Sequence, residues 1–167
     1  MRNWTMMLAA TCSVVAPLSF AAAGVLGPSK VSQLVTLQST NAPCAVPNIT
    51  GLAVSQLHTA SGTTTTFTGT SPKQALVLTD AQFLAGSMNA GDSVIFFLNR
   101  APAGGGSASS VTQVFATASQ SGIAGAEITF PAGTAIQPGV VLCFCALSGT
   151  CKTDAKVTLH GYLAPNK

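Results

Sequence analysis

Hydrophobic and polar positions alternate along most of the chain after Gly24, in short runs cut by Gly, Pro, Asn and Ser, and no stretch sustains the 3.6-residue apolar period of a helix. Successive side chains of a strand point to opposite faces, so this pattern predicts strands with one face buried. Strands are expected at Val31 to Leu37, Gly51 to His58, Thr63 to Gly69, Gln74 to Phe83, Ser93 to Asn99, Val111 to Ala118, Ala126 to Phe130, Val140 to Leu147 and Ala155 to Leu163. In the fourth of these, Leu76 and Leu78 fall on one face while Ala75, Val77 and Thr79 fall on the other; Val94, Phe96 and Leu98 repeat the device. Turns are expected at Ser71 to Lys73, Asn89 to Asp92, Pro131 to Gly133 and Gln137 to Gly139, where Pro, Gly and Asn supply turn geometry. Nine short strands read as one all-β domain over residues 24–167, a two-sheet antiparallel β-sandwich or jelly roll.

Residues 1–23 break the alternation and read as a secretory signal. Arg2 supplies the early positive charge, Met6 to Val15 is mostly apolar, and Ala21 and Ala23 form the small-residue pair that predicts cleavage between Ala23 and Gly24. Pro17 and the run of small residues that follows argue against an uncleaved anchor, so no membrane span is expected after cleavage. The expected localisation is secreted, periplasmic or at the cell surface.

Charge narrows the function classes. Only 7% of the 167 residues are charged, against roughly a quarter in an average soluble domain. A surface that binds phosphate needs a density of Lys and Arg that seven scattered residues do not supply, so nucleic acid is excluded as a partner. Disorder is excluded too, because the chain is 47% hydrophobic. After cleavage Tyr162 is the one Tyr and no Trp remains, which leaves few aromatic faces for a sugar-binding platform.

Cleavage also removes Cys12, leaving Cys44, Cys143, Cys145 and Cys151, an even number in an oxidising compartment. Cys145 and Cys151 are equidistant from Ser148 in an apparent tight turn, so a cross-hairpin bridge is expected there, with Cys44–Cys143 as the second bridge. The same thiols with His160 are the donor types of a zinc site. Their spacing is not of the paired C-x2-C kind, however, and export favours oxidation over ligation, so no metal and no cofactor is expected.

Any acid–base or ligand chemistry must draw on few residues. Asp80, Asp92, His58 and His160 are the candidates for a ligand-binding site, but the histidines lie 102 positions apart and form no local motif. No serine has G-x-S-x-G flanks, and no catalytic residue is assigned. Asp80 interrupts an apolar run, as an acceptor at a strand bulge would. Asp92, after Gly91, reads as a turn acceptor, and Asp154 as a partner of Lys152 or Lys156. The Thr-rich run from Thr59 to Ser71 reads as an exposed strand, and Ala101 to Ser110 as a flexible loop.

Ala75 to Asp80, Phe130 to Gly133, Gln137 to Gly139 and Val157 to Leu163 together resemble segments of small exported bacterial proteins of unassigned function. The resemblance covers about the last 95 residues. It implies a β-sandwich and brings no site residues. The low charge, the early Cys44 and the late Tyr162 also resemble chaperone–usher pilins, although three of the four remaining cysteines here lie between Cys143 and Cys151. The expected function is an exported, non-enzymatic module with a structural, adhesive or binding role at the envelope or outside the cell, associating with itself or with an envelope protein. The alternatives are a small exported enzyme or metal-binding protein using His58, His160, Asp80 and Asp92, and a pilus-like subunit completed by strand donation.

Overall fold

A computed structural model describes residues 27–44, 46 and 49–166. The signal segment, its Ala23/Gly24 cleavage point and Cys12 lie outside the described residues. After a single 3-10 turn at Val31–Gln33, the described chain is all β: β1 (Leu34–Pro43), β2 (Leu52–Thr59), β3 (Thr64–Thr66), β4 (Gln74–Ala85), β5 (Ser93–Pro102), β6 (Ser109–Thr117), β7 (Ala124–Ile136), β8 (Val140–Ser148), β9 (Thr150–Cys151) and β10 (Lys156–Pro165). No helix among the described residues is long and apolar enough to cross a membrane.

Every pairing is antiparallel, and the hydrogen-bonded order is β6-β5-β8-β2-β1-β10-β4-β7, with β3 added to β2 and β9 to β8. The strands form one continuous ladder that curls until its end strands β6 and β7 approach each other, giving a nearly closed, barrel-like wall. The ladder is thinnest between β2 and β8. Only Leu52 and Ala53 pair there, because β2 then turns its later residues, Gln56 to His58, to β3.

The inward-facing residues are those the alternation singles out. Leu76 and Leu78 of β4, Val94, Phe96 and Leu98 of β5, and Leu159 of β10 are fully buried. Phe83 of β4 lies 5.5 Å from Phe96 of β5 and 5.9 Å from Phe144 of β8, ring centre to ring centre, so opposite stretches of the wall touch across the interior. Burying a side chain of this size stabilises the fold by about 1.5–3 kcal/mol, which is what holds the curl closed.

The disulfides join Cys44 to Cys143 and Cys145 to Cys151. Cys143 and Cys145 sit two apart on β8, while Leu142, Phe144 and Ala146 of the same strand face the main core. Cys143 belongs to a second apolar cluster with Val46 and Ala101, against which Cys44 and Ile49 pack. The first bridge thus fastens the β1–β2 connection over the outer face of β8, and the second closes the β8–β9 hairpin.

Three local expectations change. Pro131 to Gly133 do not end a strand; they lie within β7, looped out where Leu78 pairs with Thr134 and Asp80 with Thr129. Val31–Gln33 form the 3-10 turn, so the first strand starts at Leu34 and runs on to Pro43. Lys152 reaches the Ser87 carbonyl, donating at 3.2 Å, and forms no ion pair with Asp154.

Candidate functional site

The ladder assembles the sparse polar residues that the sequence scatters. Thr64 pairs with His58, His58 with Thr36, Thr36 with His160, His160 with Asp80, and Asp80 with Thr129. These residues form one row across β3, β2, β1, β10, β4 and β7. On β1 the neighbours of Thr36, Val35 and Leu37, are buried, so Thr36 and the histidines beside it belong to the outward face. Residues 102 positions apart thereby stand with a single strand between them, because β1 inserts between β2 and β10.

Side-chain contacts follow the row. The Thr64 hydroxyl and His58 Nδ1 are 2.9 Å apart, and the Thr36 hydroxyl and His160 Nδ1 are 3.1 Å apart. His160 Nε2 faces Asp80 Oδ1 at 3.9 Å, beyond direct hydrogen-bond length and within ion-pair range if the ring is protonated. The Thr79 hydroxyl lies 3.0 Å from Asp80 Oδ2 and 3.2 Å from the His160 carbonyl; its single proton serves one acceptor at a time. His160 is 41% exposed and Asp80 26%, so solvent screens their attraction.

Asp80 owes its position to a bulge. Between Asp80, which pairs with His160, and Leu78, which pairs with Gly161, Thr79 has no partner on β10. The register on the β7 side shifts at the same residues. The acid that interrupts the apolar run therefore does mark an irregularity, and the donor it meets is the Thr79 hydroxyl. Bulges re-aim side chains, and this one turns Asp80 toward His160.

Beside the row is a shallow depression of about 390 Å³ lined by Thr36, His58, Thr79, His160 and Tyr162, with Pro28, Leu34 and Ala60 at its rim. His58 Nε2 is buried without a hydrogen-bond partner. Asp92 stands apart: its carboxylate accepts hydrogen bonds from the Asn89 backbone N–H and side-chain amide, at 3.0 and 3.1 Å, in the turn before β5. Three of the four candidates, His58, His160 and Asp80, are thus brought together, and Asp92 is not. Thr36, Thr64 and Thr79 were missed by sequence reasoning. Their only signal is that each stands on an alternating strand or beside an acid.

Cys143, Cys145 and Cys151 are consumed by the disulfides, which removes them from any zinc set with His160. No group of three His, Cys, Asp or Glu side chains converges as metal ligands among the described residues. Comparison with known proteins finds no match: no family model fits the chain, and no curated protein and no solved structure is significantly similar to it.

Proposed function

We propose that this is an exported, non-enzymatic β protein that serves as a structural, adhesive or binding module at the cell envelope or outside the cell. The two disulfides support an extracytoplasmic workplace, since thiols are kept reduced in most cytosols. The curled wall is read as a flattened, sandwich-like body. The support is the cross-core stack of Phe83 on Phe96 and Phe144, which brings the β4 side of the ladder against the β5–β8 side.

The observation that carries the association role is the end strand β6. It has nine residues without a charge or a proline, and it holds Phe115 at 69% exposure. Natural edge strands are usually blunted by Lys, Pro or inward charges, and an uncharged end strand that exposes an aromatic ring favours pairing with another chain. The module therefore meets a second copy of itself or an envelope protein through this edge. Light scattering on the disulfide-intact protein, with Phe115→Lys alongside, tests the self-association. Concentration-dependent assembly that Phe115→Lys abolishes is expected, whereas a soluble monomer at high concentration counts against it.

A further inference from the structure

We propose that the depression over Thr36 binds a divalent transition-metal ion through His58 Nε2 and His160 Nδ1, with Cu2+ the preferred ion. The register places the two histidines on either side of Thr36, on the same outward face. Two strand steps separate their Cα atoms by roughly 9–10 Å. Both side chains line the same depression, and an ion held between them takes metal–nitrogen bonds of about 2.0 Å.

The surroundings of each ring select the ligating nitrogen. His160 Nδ1 lies 3.1 Å from the Thr36 hydroxyl, a contact given up when both atoms join the ion's shell, and ligation through Nδ1 leaves the ring proton on Nε2, which faces the Asp80 carboxylate at 3.9 Å. A carboxylate on the far side of a ligating imidazole favours that orientation of the ring. On the other side, His58 Nδ1 is engaged by the Thr64 hydroxyl at 2.9 Å. With the proton on Nδ1, the partnerless Nε2 keeps its lone pair, and a buried polar atom left without a protein partner calls for a bound water or ion.

The donor set selects the metal class. Two imidazole nitrogens with oxygen completing the shell suit a tetragonal N,O centre, and Cu2+ outranks Zn2+ and Ni2+ in the Irving–Williams order. No third His, Cys, Asp or Glu joins the pair among the described residues, so water and the Thr36 hydroxyl fill the remaining positions. The ion stays open to exchange, unlike one in a closed four-ligand structural centre. Asp80 acts as a positioning residue. The proposal is independent of the association role of β6, which lies at the far end of the ladder.

The test is calorimetric titration of Cu2+, with Zn2+ in parallel, into the disulfide-intact protein, together with the electron paramagnetic resonance spectrum of the Cu2+ complex. One ion per chain is expected, bound more tightly for Cu2+, with hyperfine coupling to two nitrogens. His58→Ala and His160→Ala should each weaken binding by about tenfold or more and leave a single coupled nitrogen. Asp80→Asn should keep both nitrogens while weakening binding by about 10- to 100-fold, a change that a purely structural role would not produce. Circular dichroism checks each variant; if His58→Ala does not fold, His58→Gln replaces it. Wild-type binding no tighter than that of the His58→Ala/His160→Ala double variant, or a spectrum that neither substitution alters, would overturn the proposal.

Discussion

Gly161→Ala probes the junction on which both the fold and the polar row depend. Gly161 lies on β10 where the strand passes the Thr79 bulge, directly after His160. A Cβ at this position would land on the Val77 carbonyl oxygen, 3.1 Å from the Val77 carbonyl carbon and 3.2 Å from Leu78 Cα. These are backbone atoms of β4, which is paired to β10 on one side and β7 on the other, so they cannot swing aside as a side-chain tip would. Overpacking of a fitted interior costs about 1–3 kcal/mol, and a rigid backbone obstacle argues for the upper end. In a domain of this size about 3 kcal/mol lowers Tm by on the order of 10 °C. The assay is urea and thermal unfolding with both disulfides intact. Gly104→Ala is the control, because nothing lies within 4 Å of a Cβ there and its loss should stay within about 0.5 kcal/mol. If Gly161→Ala is as stable as the control, the close passage of β10 over β4 is refuted, and with it the bulge that aims Asp80 at His160.

Phe96→Ala should cost about 3–5 kcal/mol by equilibrium unfolding, because the ring is fully buried and stacks on both Phe83 and Phe144. Replacing Cys44 and Cys143 by Ser opens a 99-residue loop, whereas replacing Cys145 and Cys151 opens one of 6 residues. Chain entropy values the first at roughly 4–5 kcal/mol and the second at about 2, so the Cys44/Cys143 variant should be the less stable in urea. Intact mass of the exported protein should start at Gly24 and be four hydrogens short of the reduced chain, with no alkylation before reduction. A retained leader or a free thiol would contradict export by cleavage or the pairing.

Much of the strand content is legible locally because alternation is a property of five to eight consecutive residues. Gln74 to Phe83 and Ser93 to Asn99 each declare their buried face through Leu76, Leu78, Val94, Phe96 and Leu98. The exceptions mark where neighbours decide. Pro131 to Gly133 carry turn chemistry, yet they become a loop-out inside β7 because Thr129 and Thr134 on either side both find partners on β4. Tyr162 stands on the same face of β10 as His160 but is buried, with Pro28, Gln33 and Leu34 of the preceding chain gathered around it. No local pattern announces that cover.

The sequence by itself determined an all-β chain, its core-facing positions, its poverty in charge and its even set of cysteines, since each follows from residue type or short-range period. Tertiary structure alone decided that the strands join in one continuous curled ladder, that β1 runs between β2 and β10, and that His58, His160 and Asp80 therefore meet in one row. The physical reason is that strand partnership is non-local. Backbone donors and acceptors are alike on every strand, so which edge pairs with which is settled by how the buried faces of the whole chain close around a single core.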